Sequence, residues 1–183
     1  MSVMEFVLVA HAIIVGLAVA EILRGFAELL RAEKVQLNYR LLLIATWTLL
    51  LLLQVWWSIW RVGNHPVWTF PEFIVFLVPV AILYMIARLC FPHMLAGADL
   101  DAYYLRVSRV IWWLIAVTYA DFAFLLTPFV YGGIFPAVFA SQIVIAVLSI
   151  VASYVKSPAY HFFVIAVMLT QVLWRALSYV IGG

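Results

Sequence analysis

Charged side chains are scarce in this sequence. Asp, Glu, Lys and Arg make up 10% of the 183 residues, whereas apolar residues make up 69%. A soluble domain has about a quarter charged residues, so this chain has too few charges to cover a water-facing surface. The scarcity argues against a soluble fold and predicts a single integral membrane domain over residues 1–183.

Cysteine and the common catalytic motifs are also missing or nearly so. One cysteine, Cys90, cannot form an internal disulfide or a cysteine-rich metal site. The chain has no Walker A, G-x-S-x-G, H-E-x-x-H or TVGYG sequence. His11 is predicted near one membrane face and His93 and His161 near the other, which does not favour a bis-histidine haem. We therefore expect no metal and no cofactor.

Long apolar runs are what the sequence does contain. Six of them approach or exceed the roughly 20 residues that a spanning helix needs, and prolines, glycines and charges separate them. Pro71 and Pro158 stand where the first turn of a helix tolerates a missing N–H, while Thr127-Pro128 is expected to end the fourth run. The sequence thus predicts an all-α bundle of six transmembrane helices. The predicted spans are residues 4–30, 40–62, 71–91, 103–127, 134–153 and 158–180.

Lysine and arginine are distributed unequally between the two predicted faces. Eight of the ten lie at or beside the loops after spans one, three and five, and Arg61 and Arg175 lie on the other side. Positive loops stay in the cytoplasm, so we expect both termini outside it, in a bacterial-type inner membrane. The cations set orientation and give no indication of nucleic-acid binding. The eight are Arg24, Arg31, Lys34, Arg40, Arg88, Arg106, Arg109 and Lys156.

Two features add detail to this topology. Four tryptophans gather at the outer end of the second span and its loop, as an interfacial aromatic belt would. Pro71 to Arg88 and Pro158 to Arg175 have the same spacing, which allows a three-plus-three inverted repeat of the kind found in several transporter folds. The belt tryptophans are Trp56, Trp57, Trp60 and Trp68.

Polar side chains inside the spans are the main clue to function. An ionisable group there costs about 2.5–3.5 kcal/mol on insertion scales and usually faces the protein interior. At helical spacing, polar or small residues form stripes on the first, fifth and sixth spans. We expect these stripes to border a shared path. The candidates are His11, Glu21, Arg24, Gln54, Asp121, Gln142, Gln171 and Arg175.

Structural alternatives exist for most of these residues. Asp121 and Arg175 are expected to lie within reach of each other, either as a gate or as an ion pair between helices. Glu21 and Arg24 are spaced for a pair within one helix. Three arginines at the cytoplasmic face are candidates for contacts with lipid phosphates. They are Arg88, Arg106 and Arg109.

The function that these features favour is a small channel or transporter for an ion or small polar solute, with its path along helices one, five and six. Membrane lipids are its expected partners, and so small a bundle is expected to form a homo-oligomer or to join a larger complex. One alternative is an accessory subunit of a membrane complex. Another is a lipid-handling enzyme that uses Glu21, Arg24 and the arginines of the cytoplasmic face.

Overall fold

The computed structural model describes residues 3–58, 68–130 and 136–181. In these ranges the chain forms six α-helices, all long and apolar enough to span a membrane. The predicted all-α bundle of six spans is confirmed at this level. The helices are α1 (Val3–Arg31), α2 (Tyr39–Ser58), α3 (Phe70–Leu89), α4 (Leu100–Asp121), α5 (Pro136–Tyr154) and α6 (Pro158–Ile181).

Capping residues and prolines set where the helices begin. Thr69 and Glu72 form a reciprocal capping box at the start of α3, with Pro71 in the first turn. The Asp99 side chain accepts from the amides of Asp101 and Ala102. With this cap, α4 starts three residues before the predicted boundary. The boundary was predicted from the apolar run, which does not include the polar N-cap residue.

The predicted end of the fourth span at Thr127-Pro128 agrees with the apolar span of the structure, Leu100–Pro128, although the helical backbone does not break there. The chain continues directly from α4 into a π-helical segment, Phe122–Val130, that contains both residues. The Thr127 hydroxyl donates to the Phe122 carbonyl at 2.5 Å. Backbone groups inside a bilayer have no water to bond with, so the chain keeps a helical hydrogen-bond pattern through the proline. The Tyr131-Gly132-Gly133 turn and residues 59–62 of the predicted second span lie outside the described residues.

α4 is the central helix of the bundle. Of its apolar window, 61% is buried inside the protein, against no more than 39% for any other helix. α5 packs along it most extensively, and α3 packs on it from another side. Aromatic and hydrogen-bond contacts join it to α2 and α6 as well. α1 lies further out, against α3 and α2.

One end of the bundle carries most of the cations, and we call it the positive end. The α1–α2 and α3–α4 loops meet there in a short parallel bridge between Gln36 and Asp99. Gly97 adopts a left-handed conformation (φ 70°) in this contact, and its amide donates to the Glu33 carbonyl at 3.2 Å. Two connections that would otherwise be independent are thereby fixed to each other.

The two halves of the chain pack differently. α1 packs mainly on α3, whereas the corresponding helix of the second half, α4, packs mainly on α5. An inverted repeat would require equivalent pairs to match. The structure therefore gives the predicted repeat no support.

Candidate functional site: two polar clusters along the central helix

His11 is fully buried on α1, as expected for a polar residue inside a span. Its ring stacks on Phe76 of α3, with ring centroids 4.6 Å apart, and neither ring nitrogen has a hydrogen-bond partner. A buried polar atom without a partner is destabilising. His11 is thus a polar group sealed between two helices.

Glu21 and Arg24 form the predicted pair within α1, and the structure adds two further members. Arg24 also reaches Glu28 at 2.7 Å, and Arg88 of α3 bonds to the same Glu21 carboxylate at 2.5 Å. The cluster therefore joins α1 to α3 and balances two acids with two bases. Arg88, expected to meet lipid phosphate, is instead paired with a carboxylate.

A cluster that the sequence analysis did not predict lies on α4 near the positive end. The Tyr104 hydroxyl is 2.7 Å from His161 Nδ1 of α6, and the Trp112 indole donates to that hydroxyl at 3.1 Å. All three side chains are buried. We call Tyr104, Trp112 and His161 the near cluster. The sequence predicts only that His161 lies near this membrane face, and these contacts have no signal in the sequence.

The partners of His161 determine its hydrogen-bonding arrangement. Its Nε2 lies 2.7 Å from the Val155 carbonyl and 3.1 Å from the Ala152 carbonyl. Carbonyl oxygens only accept, so Nε2 carries the hydrogen, and in the neutral ring Nδ1 then accepts from Tyr104. Each polar atom of the near cluster has a partner, and the cluster ties the α5–α6 turn to α4.

Arg40 covers the near cluster on its outer side. Its guanidinium lies 4.4 Å from the centroid of the Tyr104 ring and donates to Asp101 at 2.9 Å. Asn38 donates to the same carboxylate, and its own Oδ1 accepts from the Leu41 amide at 3.0 Å. Only 11% of the Arg40 side chain is exposed. A charged layer thus separates the near cluster from the water beyond the positive end.

A second cluster lies further along α4, toward the opposite end of the bundle. Tyr119 donates to Gln171 Oε1 of α6 at 2.8 Å, and Gln171 Nε2 donates to Ser141 of α5 at 3.0 Å. We call Tyr119, Gln171 and Ser141 the far cluster. Gln54 of α2 donates to the Val172 carbonyl at 3.3 Å beside it. The structure thus gives Gln54 and Gln171, two predicted candidates, polar contacts to neighbouring helices.

An apolar layer separates the two clusters. His161 and Gln171 are ten residues apart on α6, or about 15 Å at 1.5 Å per residue. The α6 side chains that fill this interval on the buried face are Val164, Ile165 and Met168, each 0% exposed. Ile111 and Ile115 of α4 are likewise 0% exposed. The buried faces of α4 and α6 thus carry polar side chains at two levels, with buried apolar side chains between them.

The predicted pairing of Asp121 with Arg175 is wrong as a direct contact. Both residues are described, and no ion pair joins them; Asp121 is 5% exposed and its Oδ2 has no hydrogen-bond partner. Gln142, 2% exposed, likewise has an unpartnered Oε1 on α5. The sequence placed Asp121 and Arg175 at similar depth, but depth alone does not determine which way each helix turns its side chains.

The stripes on α1, α5 and α6 do not converge. α5 and α6 pack against each other, but the extensive contacts of α1 are with α3 and α2. The α5 stripe faces inward, with Gln142, Ala146 and Ser149 all buried. His11 and Glu21 therefore belong to an α1–α3 interface, separate from the far cluster. The polar groups that come together are those around α4.

Similarity to known proteins does not indicate the function of this arrangement. Comparisons with protein-family models, with curated proteins and with solved structures found no match. Among the described residues, no group of three or more His, Cys, Asp or Glu side chains is placed to hold a metal ion. Its function must therefore be argued from its own geometry.

Proposed function

We propose that this chain is a small membrane channel or transporter for an ion or small polar solute, with its path along the buried faces of α4 and α6. The observation that carries the proposal is the order of side chains on those two faces. Buried polar clusters lie on either side of a layer of Val164, Ile165 and Met168. The revised path keeps α6 and Gln171 from the sequence prediction and replaces α1 and α5 with α4.

The span of the two clusters suits a transmembrane path. Tyr104 and Tyr119 are fifteen residues apart on α4, which corresponds to about 22 Å of the helix. The hydrocarbon core of a bilayer is about 30 Å thick. A hydrophobic constriction between polar segments is a recognised gate, because water leaves it in the closed state. We interpret the described conformation as closed.

Two acceptor atoms without hydrogen-bond donors support the proposal that a solute binds close to the far cluster. The oxygens of an amide group and of an ionised carboxylate accept hydrogen bonds but do not donate them. Asp121 Oδ2 and Gln142 Oε1 are both buried without a donor, and an ionised carboxylate in such a place needs a counter-charge. A proton, a cation or a water molecule in transit would supply what these oxygens lack.

The orientation and the membrane are part of the same proposal. With the positive end in the cytoplasm, the near cluster lies on the cytoplasmic side of the apolar layer, behind Arg40, and the far cluster lies on the outer side. Both termini then lie outside, and the membrane is the inner membrane of a bacterium. Trp56 and Trp57 are 50% and 59% exposed at the end of α2, and in this orientation they would belong to the outer interfacial belt.

Flux through liposomes tests the proposal. Met168→Ser adds a hydroxyl to the apolar layer, and we expect it to raise the flux of protons, K⁺ or glycerol severalfold over wild type. Gln171→Leu removes the amide of the far cluster and should lower the flux. Met85→Ser is the matched control, because Met85 is 49% exposed on the outer face of α3. Met168→Leu controls for packing, since it keeps the apolar layer at similar volume.

Folding must be confirmed for each variant before its flux is compared. A single gel-filtration peak and a melting transition meet this need in detergent. If folded wild type and Met168→Ser both leave all three solutes at the level of empty liposomes, the transport proposal fails.

An accessory or self-associating subunit is the second candidate, and a surface feature favours it. A shallow groove of about 430 Å³ runs along α6, lined by apolar side chains and by Thr170 and Gln171. Thr170 is exposed there, where only lipid or another helix could meet it. A second copy seated in this groove would make the chain a homo-oligomer. Mass measurement in lipid nanodiscs tests this, and a single chain per disc at all protein ratios would exclude it.

The contacts of Glu21 do not favour the alternative of a lipid-handling enzyme. Glu21, one of the residues that this alternative would use, is bound by both Arg24 and Arg88. A carboxylate shared by two guanidinium groups is stabilised in its ionised form and is a poor proton acceptor for a substrate.

A further inference from the structure

Cations on the α4–α5 face of the positive end have no acidic partner among the residues that the structure describes. Arg106 and Arg109 are exposed on α4, and Lys156 is exposed in the turn between α5 and α6. None of the three is in an ion pair within the described ranges. On the α1–α3 face of the same end, Glu21 and Glu28 neutralise Arg24 and Arg88. Unbalanced positive charge is therefore concentrated on one hairpin.

Aromatic side chains surround one of these cations, Arg109. The Arg109 guanidinium lies 5.2 Å from the centroid of the Tyr154 ring, and Trp113 meets the same ring edge-on at 6.3 Å. Tyr154 of α5 is thus in contact with two α4 residues that are four positions apart. Exposed Trp and Tyr rings prefer the headgroup level of a bilayer. The contact places Arg109 at that level.

Helical spacing brings the second arginine to the same surface. Arg106 and Arg109 are three residues apart, and Arg106 and Trp113 are seven apart, so all three share one face of α4. Val110, between Arg109 and Trp113 in the sequence, is 52% exposed on this face, and Val117 continues the face toward the bilayer centre at 45% exposure. The surface is therefore cationic at the headgroup level and apolar below it, which matches the two parts of a phospholipid.

We infer that Arg106, Arg109 and Lys156, with Trp113 and Tyr154, form a binding site for an anionic phospholipid of the cytoplasmic leaflet. The two guanidinium groups and the ammonium group contact the phosphate oxygens. The acyl chains lie along Val110 and Val117. This site is independent of the proposed transport path, because it lies on the outer face of the α4–α5 hairpin, whereas the path lies along the buried faces of α4 and α6.

Lipid retention by the intact protein tests the inference. Wild type in detergent is incubated with phosphatidylglycerol or phosphatidylcholine, and bound lipid is counted by native mass spectrometry. Each cation near an anionic surface contributes about fivefold in affinity, so Arg106→Gln with Arg109→Gln should weaken phosphatidylglycerol binding about 25-fold. Arg31→Gln with Lys34→Gln is the matched control, since it removes the same charge from the same end on α1 and its loop.

The two double variants separate a site from general attraction. Loss in the α4 variant alone supports the site, whereas equal loss in both variants, or loss in neither, overturns it. Lys156→Gln, in a turn rather than a helix, is a second variant and should weaken binding by about fivefold. Retention of phosphatidylglycerol in excess inorganic phosphate is also expected. Displacement by phosphate would mean that the acyl chains contribute nothing and would overturn the phospholipid assignment.

Discussion

Gly25 is a residue where α1 lies close against a side chain from another part of the protein. A β-carbon built there would lie 2.2 Å from the Phe91 ring, a residue that follows α3 and also meets Phe26 edge-on. Gly16, on the same helix, has nothing within 4 Å of the corresponding position. The two glycines differ only in what surrounds them, which makes them a matched pair.

We expect Gly25→Ala to destabilise the protein and Gly16→Ala to leave stability unchanged or slightly improved. Overpacking of this kind costs about 1–3 kcal/mol, whereas alanine in an open helical position is favoured over glycine by roughly 0.5–1 kcal/mol. Melting temperatures in one detergent would measure the difference. Adding Phe91→Leu should recover part of the loss in Gly25→Ala. Equal melting temperatures for both alanine variants would show that Phe91 does not pack on Gly25.

At the scale of elements, the near cluster is what fastens α6 and the α5–α6 turn to α4. The Tyr104 hydroxyl accepts from Trp112 and donates to His161, whose other nitrogen bonds to two carbonyls at the end of α5. Bonds of this kind are worth most where no water can replace them. α4 and α5 make the most extensive contact between any two of the described helices. Ala146 and Ser149 are buried on α5, and small residues of this kind let helices approach closely.

Tyr104→Phe removes one oxygen and leaves two buried groups, the Trp112 N–H and His161 Nδ1, without partners. We expect a loss of about 1–3 kcal/mol in stability. Tyr39→Phe is the control, because Tyr39 is 66% exposed at the start of α2. Thermal unfolding of both variants against wild type would measure the effect. A shift in Tyr104→Phe no larger than in Tyr39→Phe would mean that the cluster does not hold the helices together.

For the whole molecule, the proposed orientation can be tested with the native cysteine left in place. Cys90 is buried just beyond the end of α3, and burial raises the pKa of its thiol to about 12. Because the thiolate is the reactive form, the folded protein should resist maleimide from pH 7 to pH 9 and react only once unfolded. Maleimide labelling of the folded protein should therefore report on introduced cysteines and not on Cys90.

Phe70 is 74% exposed at the start of α3. We predict that Phe70→Cys reacts with a membrane-impermeant maleimide in intact spheroplasts. Glu33→Cys, in the α1–α2 loop at the positive end, should react only after the membrane is permeabilised. The reverse pattern would place the positive end outside and invert the proposed direction of the near and far clusters.

The sequence by itself determined the number of spanning helices and most of their boundaries. Apolar runs of about 20 residues admit few other structures, because lipid offers backbone groups no partners. Pro71 and Pro158 marked helix starts correctly, and the spacing of Glu21 and Arg24 sufficed to predict their pairing. The asymmetry of the cations is likewise a property of the sequence, and the orientation proposed from it rests on nothing else.

Only the tertiary structure decided which helix is central and which polar groups meet. In a membrane protein the lipid-facing and buried surfaces are both apolar, so hydrophobic periodicity cannot show that α4 lies inside and α1 lies further out. Tyr104 and His161 are 57 residues apart in the chain, and Glu21 and Arg88 are 67 apart. Such contacts follow from how each helix is rotated about its axis, which is fixed by the close packing of all six helices together.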